Sequence, residues 1–241
     1  MLKGKRIIVL GGSAGIGLAV ARYAAREGAE VIVASSNPGR VEQAVAQLRS
    51  IAPGASGHAV DLRSPAAVRA LFEKLGRIDH LAYTAGEELL IQSLGELDLA
   101  AARAFFELRY WGALTAIQAA RPHIAEDGSI VLTSGAAGHR PHPGFVIGAS
   151  ICAAIEGAAR TLAVELAPIR VNVVSPGFVD TELWANIPLE DRQKMFRDAA
   201  AKLPVGRIGS ADDIAEHYLS FMRGRYVTGQ VLGVDGGGLL V

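Results

Sequence analysis

The spaced glycines Gly11, Gly15 and Gly17 in Leu10-Gly11-Gly12-Ser13-Ala14-Gly15-Ile16-Gly17 carry the strongest chemical signal in the sequence. Before them, Arg6-Ile7-Ile8-Val9-Leu10 is short, apolar and β-branched, and reads as a buried strand. After them, Ile16 to Arg26 is rich in Ala and Leu and reads as a helix. A strand that enters a helix through spaced glycines lets the backbone approach a phosphate. It also aims the free N–H groups and positive dipole end of the helix at that anion. The spacing Gly11-x-x-x-Gly15-x-Gly17 differs from the G-x-G-x-x-G dinucleotide fingerprint, and no Lys-Ser or Lys-Thr pair follows to make a P-loop. A tight turn that needs only small residues gives the same letters. The flanking strand and helix favour a nucleotide.

Such a turn needs a scaffold. Apolar strand-like runs alternate with helical stretches along the whole chain, the signature of a parallel sheet covered on both faces. Further strands are read at Ala29 to Ala34, Gly57 to Val60, Ile78 to Thr84, Gly128 to Thr133, Ile169 to Val174 and Gln230 to Val234. Helices are read at Arg40 to Ile51, from Ser64-Pro65 to Leu75, Asp98 to Ala120, Gly148 to Leu166 and Ala211 to Met222. Small or polar residues end the strands: Ser35, Asp61, Ala85-Gly86, Ser134 and Pro176-Gly177. In open α/β sheets that edge binds the ligand, so these residues are expected to meet there.

Composition sets the outer bounds. The 241 residues, 50% hydrophobic, suffice for one large α/β domain, and no linker divides them. The 24 basic and 24 acidic residues cancel, which advertises neither nucleic acid nor an anionic membrane as partner. A single cysteine, Cys152, excludes a disulfide framework and a cysteine-based zinc site, and no metal is expected. No signal-peptide pattern and no apolar run of transmembrane length are read, so a cytoplasmic protein is the default.

Taken together and in order, several segments resemble the short-chain dehydrogenase/reductase family over nearly the whole length. They are the glycine turn, Asp61-Leu62, Ala85-Gly86, Ser134 and Arg170-Val171-Asn172-Val173-Val174-Ser175-Pro176-Gly177. Gly206-Arg207-Ile208-Gly209 before Asp212-Asp213-Ile214-Ala215, and Thr228-Gly229-Gln230 leading to Val234-Asp235-Gly236-Gly237, complete the set. The resemblance implies a three-layer, Rossmann-like, doubly wound parallel sheet of about seven strands in a single domain. It implies that Gly11, Ser13, Ile16 and Gly17 contact the diphosphate of a nicotinamide cofactor, that Asp61 and Leu62 frame the adenine, and that Ala85-Gly86 passes beside the ribose. Pro176, Gly177, Val179 and Thr181 hold the nicotinamide end in the same scheme. Taken alone, Asp61 also reads as a cap before Ser64, and Pro176-Gly177 as a plain loop.

The end of the second strand selects the cofactor. An acidic residue there binds both ribose hydroxyls and repels a 2′-phosphate. Ala34-Ser35-Ser36-Asn37-Pro38-Gly39-Arg40 has none; Ser35, Ser36 and Asn37 offer donors to a phosphate and Arg40 adds charge. NADP(H) is therefore favoured over NAD(H). The same residues also suit simple turn chemistry, with Arg40 on a solvated helix start.

The family's chemistry needs a Ser, a Tyr and a Lys one helical turn after the Tyr, with an Asn on the preceding long helix holding a water. Ser134 is present. Aligned on Ile147-Gly148-Ala149-Ser150-Ile151, the Tyr position holds Ile147 and the Lys position holds Ile151. No tyrosine lies between Tyr110 and Tyr218 and no lysine between Lys74 and Lys194. The family's Asn-Asn-Ala-Gly reads Tyr83-Thr84-Ala85-Gly86, and Arg109 replaces the relay Asn. Two readings stand. In the first, the chain is an oxidoreductase with rearranged chemistry for a small carbonyl or alcohol: Arg109 stabilises an oxyanion beside Ser134, and Tyr83, Tyr110, His139 or His142 supplies the proton. His139 and His142 also read as exposed histidines of a Pro/Gly-rich turn. In the second, the chain binds NADP(H) without turnover, as a sensor, scaffold or oligomer partner, with Ile147 and Ile151 forming an apolar wall. Arg109 is then a helix-surface charge paired with Glu87, Glu88 or Glu107.

Residues 180–205 place Leu183, Trp184, Met195 and Phe196 among charges and read as a mobile substrate lid with an apolar underside. Small residues on Gly148 to Leu166 and the apolar end Leu239-Leu240-Val241 predict a homodimer or homotetramer.

Overall fold

The computed structural model describes residues 2–241. Six strands follow one another as β1 (Arg6–Leu10), β2 (Glu30–Ser35), β3 (Ser56–Ala59), β4 (Ile78–Tyr83), β5 (Ile124–Thr133) and β6 (Arg170–Pro176). Two two-residue strands, β7 (Val179–Asp180) and β8 (Gly209–Ser210), pair with each other, and β9 (Val231–Val234) ends the series. The main sheet is parallel throughout, in the order β3-β2-β1-β4-β5-β6-β9. The chain winds outward from β1 to β3, then returns to place β4 on the other side of β1. That reversal opens a crevice at the carboxyl ends of β1 and β4.

Side chains alternate across the sheet and build two cores. Ile7, Val9, Val31 and Val33 face α1 (Gly15–Arg26), α2 (Pro38–Arg49) and, later in the chain, the helix Ala211–Arg223. Ile8, Leu10, Ile32, Leu81 and Ile130 face α3 (Pro65–Leu75), α4 (Leu99–Phe106), α5 (Gly112–Ala120) and α6 (Val146–Glu165). α7 (Leu189–Ala200) and α8 (Ala211–Arg223) complete the helices. Ser64 caps α3 through Ala67 N–H at 3.3 Å, and Asp98 caps α4 through Ala100 N–H at 2.8 Å. The two polar side chains inside the sheet at His80 and Ser129 satisfy each other at 2.9 Å. Burial holds the His80 imidazole down at about 4.

Three expectations are corrected. The helix from Asp98 to Ala120 is not continuous: a π-helical turn over Glu107–Trp111 separates α4 from α5 and carries Arg109. β5 begins at Ile124 rather than Gly128, with an irregular register against β4 between Ile78 and His80. And α6, 20 residues long, is long and apolar enough by length and composition to cross a membrane, although no run of that length was expected. Here it packs along β6 and gives Ile151, Ile155, Ala159 and Ala163 to the core. Residues 180–205 hold β7's end, one 3₁₀ turn and α7. Beneath them Trp184 stacks on Phe178 at 5.5 Å and meets Phe196 edge-on at 5.9 Å.

Candidate functional site

A single cleft of about 1330 Å³ runs along the carboxyl edge of the sheet. Every residue singled out for the cofactor lines it, from Gly11 to Thr181, together with Ser134 and Arg109. Its tightest part is the switch point. Gly11 leaves β1 with φ 87°, and a Cβ there would come within 2.5 Å of Ala85 N. A Cβ on Gly17 would come within 2.2 Å of the Gly11 carbonyl oxygen. Thr84 donates its hydroxyl to Leu10 O at 3.1 Å, tying the end of β4 to that of β1. The result is a turn of small residues at the cleft, with the first amides of α1 beside it; Thr181 and the Glu182 carboxylate lie over Gly15, Glu182 Oε2 being 3.2 Å from where a Cβ would stand.

Beyond β2, Asn37 caps α2 by accepting from Arg40 N–H at 3.0 Å, which leaves its amide NH₂ and the exposed Arg40 guanidinium as donors. Turn chemistry and phosphate donors thus coexist in these residues. Asp61 is exposed and accepts from Arg63 N–H at 3.0 Å.

Arg109 is not a helix-surface charge. The π turn swings it inward, its guanidinium lies 4.5 Å over the Phe105 ring, and it donates to Glu87 O. It also pairs with the Glu87 carboxylate, Nε to Oε2 at 3.7 Å, which is the expected partnership with Glu87, and at that distance the buried Nε–H makes no hydrogen bond. A Cβ on Gly86 would meet the guanidinium carbon at 2.6 Å, so only glycine lets the cation lie across this strand end. Burial lowers the Arg109 pKa and Glu87 opposes the shift; an arginine so placed still carries its charge.

This chain is similar in sequence and in form to known proteins. A family model described as enoyl-(acyl carrier protein) reductase matches residues 11–238. Short-chain dehydrogenase/reductase ATR9 of Stachybotrys chlorohalonatus is 37% identical over 251 residues, covering 99% of this chain and 98% of that protein. The chain belongs to the short-chain dehydrogenase/reductase family. Among solved structures of similar proteins, a small-chain dehydrogenase in complex with NADPH has a TM-score of 0.87 at 35% identity, over 99% of this chain and 100% of its own. The MalC reductase/Diels-Alderase of Malbranchea aurantiaca has a TM-score of 0.93 at 29% identity, over 100% and 98%. Membership makes the chain an oxidoreductase of this family by descent.

In this short-chain dehydrogenase/reductase, α6 presents to the cleft a face other than the one aligned on Ile147 and Ile151. Ile147 is absent from the cleft wall; it packs on the core in line with Ile151, which is only 5% exposed. Gly148 and Cys152, one turn apart, line the cleft. The reason is helical phase: Ile147, Ile151 and Ile155 recur every fourth residue and form the core stripe, so the next positions turn outward. Ile147 and Ile151 therefore do not form the expected apolar wall, although Ile151 reaches its edge. Above Gly148 there is room, since an added Cβ would meet nothing nearer than Phe145 Cδ1 at 3.9 Å. Burial pushes the Cys152 thiol up to about 11 against the pull of Arg109, so it stays protonated and unreactive at neutral pH.

The candidate proton donors separate cleanly. Tyr83 gives its hydroxyl to Leu108 O at 2.5 Å, and burial raises its pKa. Tyr110 lies outside the cleft wall, against Trp111 at 5.0 Å. His142 lies at the cleft beside Phe145, with ring centres 6.1 Å apart. His139 points away from the cleft to Glu156, a buried carboxylate that also accepts from Ser134 Oγ at 2.8 Å. Glu156 was not singled out from sequence. It sits on α6 among alanines and a glycine, and no spacing to Ser134 marks it.

Proposed function

We propose that this chain binds NADP(H) and moves a hydride between it and a small carbonyl or alcohol, in an active site that does without the family's Tyr and Lys. The observation that carries the reading is one continuous cleft joining the glycine turn, the Ser35-Ser36-Asn37-Arg40 donors, the buried Arg109 cation and Ser134. The residues fit the cofactor. A diphosphate has a helix N-terminus, a 2′-phosphate has donors and no carboxylate among those four residues, and the nicotinamide end has Pro176, Gly177, Val179 and Thr181. The cofactor supplies or accepts the hydride.

On α6 the Tyr and Lys places fall to Gly148 and Cys152 in this reading, so the charge beside the reacting carbonyl comes from Arg109 across the cleft. The guanidinium at the cleft wall sets its positive charge toward a developing oxyanion, and Ser134 Oγ stands as a second donor. Arg109 holds its proton and acts electrostatically. Residues 180–205 cover the substrate end as a lid, with Trp184 and Phe196 as its apolar underside. Purified protein is expected to oxidise NADPH with a carbonyl from a broad panel, and to lose that activity in Arg109→Ala and in Ser134→Ala. Saturable NADPH binding without oxidation on any carbonyl favours the non-catalytic reading, for which the loss of Tyr and Lys speaks.

The protein is further proposed to be a cytoplasmic homodimer or homotetramer. Val164 on α6 is 80% exposed and Leu240 84%, an apolar face that a second copy covers. Sedimentation gives the oligomer size directly.

A further inference from the structure

Ser134, Glu156 and His139 form a connected polar chain through the wall of the cleft. Ser134 ends β5 and faces the cleft, and its Oγ donates to Glu156 Oε1 at 2.8 Å. His139 Nε2 lies 3.0 Å from the same Oε1 and 2.9 Å from Oε2. The Glu156 side chain is 5% exposed and that of His139 is 45% exposed. A buried carboxylate thus joins a hydroxyl on the cleft side to an imidazole on the solvent side. Cys152, one turn earlier on α6, is a protonated thiol, and Arg109 lies beyond it on the cleft side; among the charged groups described, neither contacts Glu156 by hydrogen bond. A carboxylate kept dry between two donors costs free energy unless both bonds are kept, so the cluster is geometrically fixed.

We infer that Ser134, Glu156 and His139 are the proton path that replaces the missing Tyr and Lys, delivering a solvent proton to the substrate oxygen at Ser134 Oγ. The inference rests on the reductase reading above. As a hydride from the reduced cofactor forms the new C–H bond, the carbonyl π bond breaks toward oxygen, and that oxygen takes the Oγ proton. His139 Nε2–H passes its proton to Glu156 Oε1, which hands it on to Oγ and is left a carboxylate again, while the imidazole takes a solvent proton at Nδ1. One carbonyl, one hydride and one solvent proton give one alcohol. Arg109 holds the developing negative charge from the other side of the cleft. An imidazole suits the outer end because one ring nitrogen can take a proton as the other gives one up.

The test uses full-length protein, NADPH, and phenanthrenequinone as the carbonyl probe, in wild type, Glu156→Gln and His139→Ala. Cofactor affinity, read by NADPH fluorescence, is expected to stay within about threefold in both variants, since neither residue lines the cleft. Quinone reduction is expected to fall about 100-fold in Glu156→Gln and about tenfold in His139→Ala, the scale of a lost general acid. Added imidazole restores the His139→Ala rate, which a merely structural histidine does not allow. Undiminished reduction in both variants, or no rescue by imidazole, overturns the inference. So does a wild-type protein that binds NADPH and leaves the quinone unreduced. Failure of wild type to bind NADPH removes the cofactor reading itself, a separate result.

Discussion

The two ends of the cleft are built from different materials. At the β1–β2 end the contacts on offer are backbone amides, exposed by glycines whose Cβ atoms would collide with Ala85 N or Gly11 O. At the β5–α6 end they are side chains: Ser134, Arg109 and Cys152, with Glu156 behind Ser134 and off the cleft wall. A backbone site is fixed by space, and few substitutions fit into it. A side-chain site changes with one residue while the fold stays whole. The difference fits the proposed reading, in which the chain keeps its nucleotide frame and does without the family's Tyr and Lys.

The contrast breaks first at Gly17. Gly17→Val forces a side chain into the Gly11 carbonyl and is expected to cost more than about 4 kcal/mol, seen as loss of soluble folded protein or of all NADPH binding. At the other end, Arg109→Met is expected to leave NADPH affinity within about threefold while carbonyl reduction falls about 100-fold or more, as when one oxyanion donor is removed. The helix phase is tested by a pair of variants. Ile151→Lys buries a charge in the core and is expected to lower stability by about 3 kcal/mol or more in urea denaturation, whereas Gly148→Tyr points into open space and leaves the midpoint nearly unchanged.

The scaffold beneath both ends has its own pH response. An unfolded histidine takes up a proton near 6.5, whereas buried His80 resists until about 4. The unfolded state therefore binds more protons between these values, and stability falls as pH drops through that window, by roughly 3 kcal/mol in all. His80→Asn, compared with wild type by urea denaturation across the same range, is expected to flatten that part of the curve. The smallest effect belongs to Arg40, solvent-exposed at the start of α2: Arg40→Ala is expected to weaken NADPH about tenfold and leave NADH unchanged.

The backbone end was legible in the sequence because glycine spacing between a strand and a helix states a backbone geometry outright. The Ser64 cap, the alternation of elements and the strand-edge residues followed from equally local rules. The side-chain end was less so. Matching the small residues Gly148-Ala149-Ser150 to the family motif puts Ile147 and Ile151 in the Tyr and Lys places, but small residues recur along this helix and do not fix the register. Counting back along the core stripe Ala159, Ile155, Ile151 and Ile147 shows that these isoleucines face the sheet and that Gly148 and Cys152 face the cleft. The signal was present in the fourfold spacing. The π turn at Glu107–Trp111 leaves no comparable trace, because a one-residue widening of a helix alters no residue type. It is what turns Arg109 from a surface charge into a buried one. Glu156 is seen only once β5 and α6 lie side by side.

The central claim is that the intact end of the cleft holds NADP(H). Parallel fluorescence titrations of the wild-type protein with NADPH and with NADH test it most directly. Saturable binding of NADPH, at least about tenfold tighter than NADH, is the predicted result, the scale of one charge-assisted phosphate contact. Equal or tighter binding of NADH, or no saturable binding of either, contradicts it.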